Sequence, residues 1–263
     1  TNAQYEKFVL STGYKKPGHW IGGVVPSQKK AHPVTYIDWD DANAFANWCG
    51  ASLPSEAQWE KSARGSDGRL FPWGDAEPTN EDANFGNSIG DTTEVGIHKS
   101  GVSIFGVLDL AGNVWEWTSS IHREYPYNSS DGREDVNLWG ARVVRGGNYL
   151  SAAKNIRCAD RHSIFPTARD IYIGFRVVVD DLAKVNNKLE IDFEWKKIPA
   201  GKFLMGSEFT PIPGDAPDPE YFGVSKHGAN RPADFDNEIP QHKILLEKYR
   251  ISKTPVTNAQ YEI

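Results

Sequence analysis

The sequence predicts an α+β fold built from few short helices, short twisted strands and a large irregular portion. Three observations lead there. The chain carries 24 glycines and 16 prolines in 263 residues, too many turn formers for a helix bundle. Its helical patterns are brief, and its strand patterns are briefer still. Residues 66–142 are rich in Gly, Asn, Asp and Pro and read mostly as loop, yet they hold Trp73, Trp115, Trp117 and Trp139, which argue for order.

The elements follow in chain order. Asn2–Val9 reads as a helix with Tyr5, Phe8 and Val9 on one face at i, i+3 and i+4. Asp40–Cys49 reads as a second, with acidic residues at its positive end and Gly50 after its last turn. Its inner face is Ala42, Phe45, Trp48 and Cys49. A third starts after Leu53-Pro54, where Ser55 and Gln58 form a capping box, turns Trp59 inward and stops at Gly65. Val143-Val144 and Phe175–Val179 look like closing strands. Phe203–Gly206, Lys243–Leu246 and Tyr249–Ser252 are short strands bounded by turn residues. Asp180–Glu194 is polar and reads as a linker or short helix. Pro211–Glu238 is acidic and proline-rich, the mark of a long surface loop.

One pattern spans the whole chain. Thr1-Asn2-Ala3-Gln4-Tyr5-Glu6 recurs as Thr257-Asn258-Ala259-Gln260-Tyr261-Glu262. Two readings stand: an artificially cropped chain, or a slice from a tandem array or filament of copies. Either divides the chain into 1–180, a linker at 181–197, and 198–263 as the opening strands and first-helix start of the same kind of unit.

Composition excludes some partners. The formal charge is -6 and no basic run exceeds a pair, which disfavours nucleic acid. No apolar run reaches the roughly 18 residues that a membrane span needs. Cys49 and Cys158 fit one disulfide or two free thiols, so the cellular compartment stays open.

The most informative stretch is Gly112-Asn113-Val114-Trp115-Glu116-Trp117-Thr118. A glutamate between two tryptophans after a Gly-Asn turn needs a cation, an arginine or backbone amides to be buried. It belongs to an ordered set: His32-Pro33-Val34, Leu53–Glu60, Ala63-Arg64-Gly65, Phe71-Pro72-Trp73-Gly74, Arg145-Gly146-Gly147 and Gly174-Phe175-Arg176. Together these resemble the formylglycine-generating enzyme (sulfatase-modifying factor) family. Ile198–Ser207 resembles that family's opening strand, and Gln241–Tyr261 its second strand and first helix, so the resemblance runs in permuted order. It implies a C-type-lectin-like fold.

The resemblance also frames the chemistry. The family's founding activity oxidises a substrate cysteine with copper and oxygen, the copper held by two cysteines five positions apart. Cys158 aligns with the second, but position 153 is alanine, so a vestigial site is expected and copper is not. A free buried cysteine is the plain alternative for Cys158. A second branch uses iron held by three histidines from a separate helical domain; none of the seven histidines here has i, i+4 spacing. A third branch binds ligands with the surface between the Arg-Gly-Gly turn and the Gly-Phe-Arg strand. Here that surface would present Tyr149, Leu150, His162, Ile164, Phe165, Ile171 and Tyr172, with Trp117 beside them. The resemblance further implies calcium near Asn84-Phe85, with Asp91 as a further acidic candidate, and near Gly112, Asn113, Val114 and Glu116, where oxygen ligands in loops suit it. At Glu116 the competing expectation is a buried arginine such as Arg145 or Arg157. These points favour a non-catalytic module that binds a protein, a small molecule or copies of itself. The alternative is a metal- and oxygen-dependent oxidoreductase with an altered metal site.

Overall fold

The computed structural model describes residues 1–185, 191, 193–207 and 238–255. The expected helix from Thr257, the second copy of the end repeat and most of the acidic loop fall outside them.

Three α-helices lie among the described residues: α1 (Asn2–Thr12), α2 (Trp39–Trp48) and α3 (Glu56–Arg64). Each begins with a reciprocal capping box, Thr1 with Gln4, Asp38 with Asp41 and Ser55 with Gln58. Such a box satisfies two otherwise orphaned donors of the first turn, which favours helix starts in segments this short.

The strands form three small sheets. β1 (Trp115–Ile121), β2 (Arg142–Arg145), β3 (Arg161–Ile164) and β4 (Ile173–Phe175) make one, in the order β3-β2-β1-β4. β1 runs antiparallel to β2 and parallel to β4. β5 (Val178–Val179), β6 (Trp195–Ile198) and β9 (Tyr249–Ser252) make the second, with β9 central. β7 (Gly201–Met205) and β8 (His242–Leu246) form a two-stranded third. The sequence therefore anticipates the mixed helix-and-sheet class and β2, β7, β8 and β9, with three differences. β3 and β6 are not anticipated, β6 falling largely in the expected linker. β1 lies inside the expected loop region, and the expected strand 175–179 divides in two. Between its halves, Arg176 and Val177 carry the chain from one sheet to the other.

Two apolar clusters hold these layers together. α1 and α2 pack Tyr5, Phe8 and Phe45 over Trp117 and Phe175, with Phe45 edge-on to Phe175 at 5.3 Å between ring centroids. Trp59 of α3 packs with Cys158, Val178, Ile198 and Ile251. The C-terminal strands are thus part of the same packed body. Lys61 donates to the carbonyls of Pro199 (2.7 Å) and Gly201 (2.9 Å), and the Tyr249 hydroxyl donates to the Gln58 carbonyl at 2.6 Å. No helix among the described residues is long and apolar enough to cross a membrane.

Candidate functional site

The Gly112-Asn113 turn sets the site's geometry. Both residues are left-handed, with φ of 73° and 65°. A Cβ on Gly112 would lie 2.2 Å from the Asn84 carbonyl oxygen, so only glycine fits this approach. The Asn113 amide donates to that carbonyl at 2.8 Å, and the Gly112 amide donates to Gly146 at 2.7 Å. The turn is therefore locked to two loops before β1 begins.

β1 then carries Glu116 into the interior, where it is fully buried. Arg176 clamps it from both sides: Nε donates to Oε2 at 2.6 Å and Nη2 to Oε1 at 2.7 Å. The Trp59 indole adds a third bond, to Oε2, at 2.7 Å. Arg176 also donates to the carbonyls of Leu108 (2.9 Å), Asp109 (3.1 Å) and Ser252 (3.1 Å). Parallel pairing places Glu116 opposite Gly174, and Arg176 lies two residues on. The partner is thus an arginine, as one expectation had it, but neither Arg145 nor Arg157.

Those two arginines serve other carboxylates. Arg145 pairs with Glu60 and donates to the carbonyls of Cys158, Ala159 and Asp160. Arg157 grips Glu238 at 2.7 and 3.0 Å, and Arg161 grips Glu56 at 2.6 and 2.8 Å. Burial pushes the Glu56 carboxyl up, but the charges of Arg161 and Arg145 outweigh it and hold it below its ordinary value. Asp109 differs. Burial pushes its carboxyl up to about 6, against a bond from the Gly96 amide and the charge of Arg176.

This geometry sorts the expected metal residues. Both Glu116 oxygens are spent on a guanidinium and an indole, so the glutamate does not fit as a calcium ligand here; a cation would have to displace Arg176. Asn84 does fit as a donor. Its Oδ1 is buried with no hydrogen-bond partner, while its amide nitrogen donates to the Asp91 carbonyl (2.9 Å) and to Asn113 Oδ1 (3.3 Å). The amide cannot be reversed, because Asn113 Oδ1 already accepts from the Thr93 amide at 2.9 Å and so needs a donor facing it. Asp91 itself is engaged by Lys29 at 2.6 Å and by the Thr92 amide at 2.7 Å. Phe85 packs against the apolar cluster of Phe71, Ala83, Ala111 and Ile156, and the Val114 side chain is buried, so each offers only its backbone.

Cys158 stands alone. Its thiol is buried, which pushes it up to about 12, with the charges of Arg64 and Glu60 acting in opposite senses. Ala153 opens a 3-10 turn through Ile156 and supplies no sulfur. A two-sulfur copper clamp is not formed by these residues. No group of three or more His, Cys, Asp or Glu among the described residues is placed to hold a metal ion.

The expected ligand surface survives in part. Phe165 is 61% exposed and Ile171 36%, and His162 is exposed with its ring 5.7 Å from that of Trp115. Leu150 is half-buried, while Ile164 and Tyr172 are half-buried against the α1–α2 core. Trp117 and Tyr149 must be removed from the surface, since both are buried. The Trp117 indole faces α2 and donates to the Ile37 carbonyl at 3.4 Å. The charged network of Glu56, Glu60, Arg145 and Arg161 was missed by sequence reasoning. Its members come from α3, β2 and β3, and only a buried-charge pattern along α3 could have hinted at them.

Comparison with known proteins places this architecture. The sulfatase-modifying factor enzyme 1-like domain family matches residues 1–181. The chain belongs to that family. A hercynine oxygenase from Mycolicibacterium smegmatis is 31% identical over 218 aligned positions, taking in 68% of this chain and 51% of that protein. The formylglycine-generating enzyme of Mus musculus is 30% identical over 246 positions, taking in 69% of this chain and 64% of that enzyme. Among solved structures, PvdO from Pseudomonas aeruginosa is similar in fold, with a TM-score of 0.50 and 23% identity over 66% of this chain and 76% of that one. This chain spans about half the length of the hercynine oxygenase it matches.

These relatives correct the expectation of a non-catalytic binding or assembly module. The proteins that share this sulfatase-modifying-factor-type domain at 30% identity or more include oxygenases and a formylglycine-generating enzyme. The expectation rested on the missing cysteine at Ala153, and loss of one ligand type does not remove a family's chemistry when the family uses more than one.

Proposed function

We propose that this chain is the sulfatase-modifying-factor domain of a metal- and oxygen-dependent oxidoreductase with an altered metal site. One observation carries the reading: the 31% identity with a hercynine oxygenase over 68% of this chain. The internal architecture supports it. Four buried carboxylates are each held by an arginine, so the scaffold is rigid where a reacting group has to be placed within a fraction of an ångström. When bound, copper or iron would supply oxygen activation. The described residues offer two thiols, Cys49 and Cys158, buried in separate apolar clusters, and no histidine cluster for it, so no step is assigned to the metal through them.

The finer parts of the reading belong to the same proposal. Residues 198–263, which include β7 to β9, are taken as the opening strands of a C-type-lectin-like unit in permuted order, supported by the bonds of this segment to α3. Calcium is taken to sit at Asn84, whose orphaned Oδ1 needs a positive partner.

The test is the metal that the protein keeps. Chelator-stripped protein is loaded anaerobically with copper(I) or iron(II), desalted and assayed for bound metal. Near-stoichiometric retention of one of the two is expected. Retention of neither, with calcium alone bound, would argue against an oxidoreductase.

A further inference from the structure

A cavity of about 410 Å³ opens where the α2–α3 connection, the end of β1, the 127–136 loop and β5 meet. Its volume lies within the range of small-molecule sites. Glu116, Arg176 and Trp59 do not line it, so a role for it does not rest on the oxidoreductase reading.

Its lining joins two chemistries. Leu53, Val136, Val178, Val179 and Leu246 supply aliphatic wall. Glu134, a half-buried carboxylate, lines the same cavity. Ser119 donates to it at 2.9 Å, Ser120 at 2.5 Å and Tyr127 at 2.7 Å. All three donors are neutral hydroxyls. Among the described residues no lysine, arginine or histidine lies within ion-pair distance of Glu134, and none lines the cavity. Arg142 feels the charge of Glu134, but its Nη1 and Nη2 are spent on the carbonyls of Ser119, Asp135, Val136 and Leu138. A second carboxylate, Asp180, is exposed at the edge of the cavity.

The hydroxyls are themselves fixed. The Glu56 amide donates to Ser120 Oγ at 2.8 Å, so Ser120 relays a helix-start amide onto the carboxylate. Three donors hold the carboxylate in place without neutralising it; Ser120 and Tyr127 share Oε1 while Ser119 alone meets Oε2, which leaves acceptor capacity on Oε2. A carboxylate so placed beside an aliphatic wall selects a cation that has an apolar body. A hydrated metal ion would waste the aliphatic wall, and an anion would be repelled.

We propose that this cavity is a binding site for a primary alkylammonium: the ammonium donates to Glu134, and a chain of about four to six carbons lies against Val178, Val179 and Leu246. The chemistry is shared by free alkylamines and by a lysine side chain presented on a peptide, and the two are separable by experiment.

The probes are n-pentylamine, n-pentanol and Nα-acetyl-lysine methylamide, titrated into the full chain and followed by NMR chemical-shift changes or calorimetry at neutral pH. Pentylammonium should bind more tightly than pentanol by about tenfold or more, the effect of one charge-assisted hydrogen bond. Binding of pentylammonium without the lysine derivative assigns the site to a free amine, and binding of both extends it to a peptide side chain. Glu134→Gln, which keeps an oxygen acceptor for Ser120 and Tyr127 and turns its amide NH2 toward Ser119 Oγ, which can accept, should lose the preference for the amine over the alcohol. Val136→Lys, at a partly exposed edge position, should block the site by placing a tethered ammonium in it. Equal binding of amine and alcohol, no binding of either amine, or unchanged amine affinity in Glu134→Gln would each overturn the proposal.

Discussion

Arg176→Met is the perturbation that probes the buried architecture most sharply. The substitution leaves Glu116 buried with the Trp59 indole as its remaining donor. Stranding one partner of a buried ion pair costs about 3–5 kcal/mol. The carbonyls of Leu108, Asp109 and Ser252 also lose a charged donor, at about 1 kcal/mol each. The sum, about 6–8 kcal/mol, is comparable to the whole stability of an ordinary domain. Adding Glu116→Gln removes the stranded charge and keeps an acceptor for the indole. The double variant should therefore recover about 3 kcal/mol or more and remain about 3 kcal/mol below the wild type, because the three carbonyls stay bereft. The assay is guanidinium unfolding followed by tryptophan fluorescence. A double variant no more stable than Arg176→Met would refute the ion pair as the cause. A double variant as stable as the wild type would refute the carbonyl contribution.

Other outcomes follow from single positions. Gly112→Ala places a Cβ 2.2 Å from the Asn84 carbonyl at φ +73°, and should cost several kcal/mol in a thermal melt; Gly86→Ala, with φ +62° and open space, should cost about 1 kcal/mol. Burial pushes His122 down to about 4, with the charge of Arg161 adding to the effect, so the unfolded chain takes up its proton first as pH falls. The His122 contribution is therefore complete above about pH 6.5 and is lost between there and pH 4, by about 3 kcal/mol at most; His122→Gln should flatten that part of the stability profile. Calcium should raise the melting temperature of the wild type and of Glu116→Gln, but not of Asn84→Ala; at a hundredfold excess over its dissociation constant the gain is about 2.7 kcal/mol. Loss of the calcium effect in Glu116→Gln instead would move the ion to the glutamate.

How much of this was legible depended on whether the signal was local. Capping boxes are contained in four residues, and Ser55 with Gln58 is read directly; the α2 start is read one residue late because Trp39 separates Asp38, the actual cap, from the acidic pair Asp40-Asp41. β1 was invisible as a strand. Its sequence Trp-Glu-Trp-Thr-Ser-Ser-Ile is buried on both faces nearly throughout, so the apolar–polar alternation of Trp115–Thr118 breaks at Ser119 and is too short to mark a strand. The need of Glu116 for a positive partner was legible from its aromatic neighbours. The identity of that partner was not, since it depends on the parallel register of β1 with β4, and register is a property of two distant segments. Trp117 is misplaced for the same reason, since which face of a sheet an aromatic occupies follows from what packs on it; Tyr149 lies in a turn, and its burial depends on the segments that close over that turn. The chemistry itself was least legible. A missing cysteine at Ala153 bears on one ligand set, whereas relatives sharing the domain include oxygenases.

The central claim is oxygen chemistry, and oxygen consumption tests it most directly. Protein loaded with copper(I) or with iron(II) is supplied with a small thiol or a cysteine-containing peptide in an oxygen-electrode cell, beside controls that contain the free metal and thiol alone. The account predicts uptake that requires protein, metal and thiol together and exceeds the controls. Uptake that matches the free-metal controls under both metals and with both thiols would contradict it.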